Sequence, residues 1–229
     1  LIYTSGTTSE PKGVGITHSM IEFTTMNIVN VLGYSDSDID VLPLPLYHSF
    51  GLGCFHTSMA VGSTLILHKD ASNLENLLDS IKKFNATTIA VIPATLTKLL
   101  MLNQVNLSNN FSNIRLVITN STAIPKNTVK SFKEILKNGN LATYYGLTEA
   151  SRSTFMIFQK DSTRDGSVGK HAPGVSIKID NDSEGEVLIK GNNVISKYWN
   201  NENANENIIN GWIKTGDIGY LDEENFLFL

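Results

Sequence analysis

Between positions 74 and 145 this 229-residue chain alternates two kinds of pattern, and that alternation narrows its fold more than any other feature. Leu74, Leu77, Leu78 and Ile81 fall on one face of a helix, and residues 88–92 form a short β-branched run ending at Pro93. Residues 95–102 read as a helix and 115–118 as a strand. Val129, Phe132, Ile135 and Leu136 mark another one-sided helix, which Gly139 is expected to stop, and 141–145 closes the series as a strand. Each such helix must bury its apolar stripe, so the alternation calls for a sheet with helices on its faces. An opening strand at 1–3 and a helix near 19–31 come before it. The expected fold is α/β, with layered mixed sheets covered by helices.

After about residue 165 the texture changes. Residues 175–179 and 186–190 are short strand-like runs separated by Gly, Asp and Asn, which predicts hairpins and a β-rich subdomain near the C-terminal end. The expected division is 1–165 for the α/β part and 166–229 for the β-rich part. Both ends of the sequence fall inside strand-like runs, so the chain is expected to be a piece of a longer protein.

The sharpest local signal is Thr4-Ser5-Gly6-Thr7-Thr8-Ser9-Glu10-Pro11-Lys12-Gly13. Hydroxyls and exposed backbone N–H groups donate to phosphate oxygens, and the lysine adds a cation. A P-loop nucleotidase would need glycine at 11, lysine at 12 and a hydroxyl residue at 13; Pro11 and Gly13 exclude it. The plainer alternative is a solvated Ser/Thr turn.

Composition narrows the remaining classes. The chain is 41% hydrophobic and 17% charged, as in globular domains, with a formal net charge of −4. That balance gives no reason to expect binding to nucleic acid or an anionic membrane, and no apolar run reaches the ~20 residues of a membrane span. The single cysteine, Cys54, permits no internal disulfide and suits a reducing cytoplasm.

Residues 4–13 closely resemble the phosphate-loop signature of the adenylate-forming, AMP-binding superfamily, which includes acyl-CoA synthetases, luciferases and peptide-synthetase adenylation domains. Further segments resemble that family in its own order. Pro45-Leu46-Tyr47-His48-Ser49-Phe50-Gly51 is similar to its gate-and-pocket segment, and Tyr145-Gly146-Leu147-Thr148-Glu149 to its Tyr-Gly-x-Thr-Glu motif. Gly166-Ser167-Val168-Gly169-Lys170, Gly185-Glu186-Val187-Leu188-Ile189-Lys190-Gly191 and Gly211-Trp212-Ile213-Lys214-Thr215-Gly216-Asp217 match three more, the last being its ribose-binding motif.

The resemblance implies part of an adenylate-forming enzyme core. It implies ATP-dependent conversion of a carboxylic acid to an acyl-adenylate with release of pyrophosphate, then thioester formation with CoA. Two anions must meet, so the site needs cations, donors and alignment. Implied for the nucleotide are Thr4, Ser5, Gly6, Thr7, Thr8 and Lys12 on the phosphates, Asn120 and Ser121 at the adenine wall, Tyr145 against adenine and Asp217 on the ribose hydroxyls. Thr148 would donate to the α-phosphate and Glu149, taken as a solvent-facing carboxylate, would hold Mg2+. His48 would stand at the edge of the acyl pocket.

Each role has a plainer alternative. Glu149 could be a helix-start glutamate beside a capping Thr148, Asp217 a turn aspartate and His48 a packing residue. Tyr144 is expected to face away from Tyr145 into the core, and Cys54 to be a small buried hydrophobe. The resemblance also implies a mobile C-terminal domain beyond residue 229, carrying a lysine used in the first half-reaction. Two alternative functions stand beside the CoA ligase. One is an enzyme that loads the phosphopantetheine of a carrier protein. The other, motivated by Ser9 where the family has glycine and by the glycine-free 119–123 segment, is an inactive nucleotide-binding regulatory module.

Overall fold

The computed structural model describes residues 1–4, 11–69, 71–102, 104–120, 124–161, 163–181 and 183–229. It begins with β1 (Ile2–Tyr3), β2 (Gly13–Val14) and α1 (His18–Leu32). Thr17 caps α1 by accepting from the Met20 N–H at 3.2 Å, and Gly33 ends it in the left-handed conformation. The alternating region supplies β3 (Ile39–Leu42), α2 (Ser49–Val61), β4 (Thr64–Leu67), α3 (Leu74–Lys83), β5 (Thr88–Ala90) and α4 (Pro93–Leu100). It continues with α5 (Gln104–Asn110), β6 (Leu116–Asn120), α6 (Lys126–Ile135), β7 (Asn140–Tyr145), β8 (Thr154–Ile157) and β9 (Lys170–His171).

These strands form a seven-stranded sheet in the order β4-β3-β5-β6-β7-β8-β9. The pairs from β4 to β7 are parallel; β8 runs antiparallel to β7, and β9 antiparallel to β8. Alternation along each strand feeds two separate cores. Leu42, Leu116, Ile118, Ala142 and Tyr144 face α1 and α2, in a cluster with Ile28, Leu32, Phe50 and Cys54. Val41, Ile89, Val117 and Leu141 face the other way, in a cluster with Leu77, Leu96, Val129 and Phe132. Burial on both faces is why these strands read as unbroken apolar runs.

The remaining strands are β10 (Val175–Ile179), β11 (Gly185–Gly191), β12 (Tyr198–Trp199), β13 (Ile208–Ile209), β14 (Trp212–Leu221) and β15 (Leu227–Phe228). β10, β11, β14 and β13 pair antiparallel in that order, with β15 also on β14. β12 returns to pair with β2, making a small sheet β1-β2-β12. The α/β core and the hairpin-rich region therefore agree with the sequence. One local expectation fails: α6 ends at Ile135, before Gly139. Gly139 has another use, since a Cβ there would lie 2.4 Å from the Ile114 carbonyl oxygen.

Two buried aspartates at the start of β3 titrate in opposite senses. Asp38 loses solvation, yet hydrogen bonds from Arg115, Ser35 and Thr87 outweigh that loss and hold its carboxyl below the usual range. The Arg115 Nε–H donates to Asp38 Oδ1 at 2.7 Å, tying the starts of β3 and β6 together. Asp40 is fully buried, accepts from Thr88 Oγ1 at 2.8 Å and from Ser58 Oγ at 3.3 Å, and is pushed up by burial to about 6. An unfolded Asp titrates near ~3.9, so the native state keeps this proton to higher pH. The stabilisation from Asp40 is complete below pH ~4, declines as pH rises to about 6, and is level above that. Asp40→Asn removes the titration. The stability difference between variant and wild type, followed by urea unfolding, is expected to change between those limits and stay constant above them. Parallel pH profiles would show that Asp40 is not the titrating group.

Candidate active site

The carboxyl ends of parallel strands, where the direction of the sheet changes, are where open α/β sheets bind ligands. Here that point is the end of β7. Asn120 closes β6 and lies in register with Tyr144. The next residue after β7 is Gly146, where a Cβ would lie 2.5 Å from the Ala150 carbonyl oxygen, so the turn into β8 closes tightly only with glycine. Tyr144 and Tyr145 point to opposite faces. Tyr144 packs edge-on against Phe50, with ring centroids 5.4 Å apart, whereas the Tyr145 hydroxyl donates to Asp217 Oδ2 at 2.7 Å. Burial, and after it the bond to Asp217, pushes the Tyr145 phenol upward, so it stays a donor.

Asp217 is aimed at Tyr145 by a bulge. Glu186 pairs with Ile218 and Leu188 with Lys214, so β14 carries more residues between these pairs than β11 does. Thr215, Gly216 and Asp217 fill the bulge, with Gly216 at φ 79°. The Gly216 N–H donates to Glu186 Oε1 at 2.9 Å, and Thr215 Oγ1 accepts from the Asp217 N–H at 3.1 Å. Thus two residues 72 apart in sequence, expected at adenine and ribose, meet across two sheets.

A second convergence starts at the phosphate-loop signature. Ser5, Gly6, Thr7 and Thr8 lie outside the described residues, as does Ser121, but the ends of the loop are tied. The Thr4 N–H donates to the Lys12 carbonyl at 3.0 Å, and the Lys12 N–H to Thr4 Oγ1 at 3.4 Å. Because β12 pairs with β2, Tyr198 lies beside this end, and Lys12 Nζ sits 5.4 Å from its ring centroid. The Tyr198 hydroxyl donates in turn to Glu149 Oε1 at 2.8 Å. Glu149 is only 9% exposed, which corrects the expectation of a solvent-facing carboxylate. The 194–198 segment packs beside it, where the Ile195 N–H also donates to the Glu149 carbonyl at 3.0 Å.

Between α1, α2 and the 146–152 turn lies a cavity. Its apolar walls include Leu1, Ile16, Met20, Ile21 and Leu52; its polar groups include Thr148, Ser49, His56, Ser151, Arg152 and Asn193. His48 is exposed just before α2, with its ring 4.6 Å from that of Tyr47, and does not line this cavity. Ser49, Leu52, Gly53 and His56 do, at the i, i+3, i+4, i+7 spacing of one helix face. That spacing is the signal that would have pointed to His56. Burial, and then the nearby Arg152 cation, holds the His56 imidazole below its ordinary range and so favours its neutral form. Cys54, on the opposite side of α2, is buried with its thiol pushed up to about 12, so it is a packing residue and not a nucleophile.

The model of the family described as "AMP-binding enzyme" matches residues 1–199. The chain belongs to this family. It is 34% identical, over its whole length, to the 2-succinylbenzoate–CoA ligase of Bacillus subtilis, and 30% identical to the indoleacetate–CoA ligase of Aromatoleum aromaticum. It spans 48% and 46% of those proteins, so about half the length of the curated relatives it matches. Among solved structures, the O-succinylbenzoate coenzyme A synthetase of Bacillus subtilis, in complex with ATP and magnesium ion, superposes with a TM-score of 0.89 at 33% identity. That match covers 99% of this chain and 48% of the other. Among the described residues, no helix is long and apolar enough to cross a membrane.

Proposed function

We propose that the protein to which this chain belongs is an AMP-forming acid–CoA ligase. It would join a carboxylic acid to the α-phosphate of ATP, release pyrophosphate, and pass the acyl group to CoA. The observation that carries this reading is the convergence of two residue pairs, Tyr145–Asp217 and Tyr198–Glu149, beside a largely apolar cavity with Thr148 on its wall. Similarity to two CoA ligases supports CoA over a carrier protein as acceptor. The division at 165/166 belongs to the same proposal, with all of the acyl cavity's wall but Asn193 in the first part and Asp217 in the second.

In this reading Tyr145 packs on the adenine beside Asn120 and Ser121, and Asp217, already oriented by the Tyr145 hydroxyl, accepts from the ribose. Thr4, Ser5, Gly6, Thr7, Thr8 and Lys12 hold the phosphates, and Thr148 donates to the α-phosphate. A carboxylate oxygen of the acid forms a bond to phosphorus, the bond from phosphorus to the bridging oxygen breaks, and its electron pair leaves with pyrophosphate. Donors and cations fixed in advance lower the barrier because two anions must approach. Among the described residues, no three His, Cys, Asp or Glu side chains cluster as a metal cage. Glu149, a buried carboxylate that accepts from the Tyr198 hydroxyl, would be the protein's ligand to Mg2+, and the ion would supply positive charge against the phosphates. His48, outside the cavity wall, is assigned to its entrance.

Acid-dependent exchange of labelled pyrophosphate into ATP by the full-length protein tests the reading, with a panel of fatty, aryl and amino acids. The expected result is exchange with at least one acid, and acyl-CoA formation when CoA is added. Transfer only to a carrier-protein phosphopantetheine would replace CoA as the acceptor. ATP binding without exchange on any acid would favour the inactive module.

A further inference from the structure

Thr148 and Glu149 are adjacent in sequence, and both stand in the turn between β7 and β8. The Leu147 N–H donates to the Ala150 carbonyl at 3.1 Å and the Ala150 N–H to the Leu147 carbonyl at 3.2 Å, so the two residues between them form a tight hairpin tip. On the β8 side of that tip the backbone is strained. Arg152 adopts φ 56°, a left-handed conformation that side-chain-bearing residues rarely take. Such a conformation persists only where the surroundings over-determine it.

Asn193, which follows β11, supplies that constraint. It is 1% exposed, and its Nδ2 donates to the Ser151 carbonyl at 3.0 Å and to Ser153 Oγ at 2.9 Å, one bond on each side of Arg152. The Ser153 hydroxyl passes the link on by donating to the Ala150 carbonyl at 2.9 Å, the same oxygen that accepts from Leu147. A continuous hydrogen-bonded path therefore runs from Asn193 to the residues that flank Thr148 and Glu149. The bridge between Ala150 and Val194, and the bond from the Ile195 N–H to the Glu149 carbonyl, set the register of the two segments. Asn193 Oδ1 is buried and has no hydrogen-bond partner among the described residues. Burying an unpaired amide oxygen is unfavourable, so packing does not explain this side chain; its two N–H groups do. Aspartate would turn lone pairs toward the Ser151 carbonyl, and serine has a single donor.

We infer that Asn193 is a positioning residue: it clamps both sides of Arg152 and thereby sets Thr148 and Glu149 toward the phosphates. This rests on the ligase reading above. In that reading the hydroxyl of Thr148 and the carboxylate of Glu149 serve one reacting group, and a small displacement of either spoils the alignment. Tyr145 lies in β7 and Asp217 in β14, outside the turn. Loosening the clamp therefore acts on the reacting geometry more than on the binding of adenosine or of the acid.

The test uses the full-length protein with an acid that supports pyrophosphate exchange. Asn193→Leu keeps the shape of the side chain and removes both donors, whereas Ser153→Ala removes only the hydroxyl that passes the link on. Asn193→Leu is expected to lower kcat per folded molecule by about 10–10²-fold, with KM for ATP and for the acid changed by less than about twofold. Ser153→Ala should lower kcat by about tenfold. The double variant should be no worse than Asn193→Leu alone, because both changes break one path. Urea unfolding of each variant supplies the folded fraction. Calorimetric titration of ATP with and without magnesium should show a smaller magnesium-dependent gain in affinity for Asn193→Leu than for wild type. Unchanged kcat in both variants, a rise in KM without a fall in kcat, additive losses in the double variant, or an equal magnesium-dependent gain overturns the inference. If Asn193→Leu does not fold, Ser153→Ala decides by the same readings. If wild type exchanges with no acid, the ligase reading fails separately. The titration then decides the inference, a smaller gain in the variant supporting it and an equal gain, or none in wild type, overturning it.

Discussion

Glu149→Gln in the full-length protein is expected to lower acid-dependent pyrophosphate exchange by about 10²–10³-fold and to raise the magnesium concentration it requires. Glutamine keeps the shape of the side chain and an oxygen that can still accept from the Tyr198 hydroxyl, so the buried hydrogen bond at 2.8 Å has a neutral replacement. The charge is what is lost, and with it the protein's hard-oxygen contribution to the metal. Tyr198→Phe separates the two functions of this pair, since it keeps the Glu149 carboxyl group and removes only the hydroxyl that orients it. Its loss should be smaller, about tenfold, and in the same direction. Because Glu149 is buried, urea unfolding of each variant must accompany the kinetics. Unchanged exchange by Glu149→Gln at limiting magnesium would reject the assignment.

The second large effect concerns stability. Phe132→Ala is expected to destabilise the protein by about 3–5 kcal/mol. Phe132 is 0% exposed, lies on the sheet-facing side of α6 and meets Phe111 edge-on, with ring centroids 6.3 Å apart. Its cluster also includes Val129, Ile135 and Leu141, so truncation leaves a cavity that several side chains would have to move to fill. The cavity between α1, α2 and the 146–152 turn lies on the opposite face of the sheet. Exchange per folded molecule should therefore hold at low temperature while the urea midpoint falls sharply. A loss under ~1 kcal/mol would mean that α6 does not seal this face.

Elements with one buried face were readable in advance. α3 and α6 carry apolar residues at helical spacing because one side covers the sheet and the other meets water. α2 was not readable, although it forms a wall of the cavity. Apolar residues surround it, and it contains Gly51 and Gly53, which usually weaken a helix assignment. Those glycines answer to neighbours distant in sequence: a Cβ at 51 would strike the Pro45 carbonyl, and one at 53 the Arg152 guanidinium. Nothing within the helix itself records that demand.

The same division runs through the site. The residues expected at phosphate, adenine and ribose stand in short local motifs, so the sequence alone determined the family to which the chain belongs and its α/β scaffold. Tertiary structure decided which of those groups meet. Tyr145 reaches Asp217 only because the bulge in β14 turns the carboxylate toward the end of β7. Glu149 meets the Tyr198 hydroxyl because β12 returns to pair with β2. No sequence motif singles out Arg152, and its burial against the Ser49 and Phe50 carbonyls emerges only when α2 closes over the 146–152 turn. Local propensity is set by a residue and its near neighbours, whereas desolvation and charge pairing depend on groups that folding brings in from far along the chain.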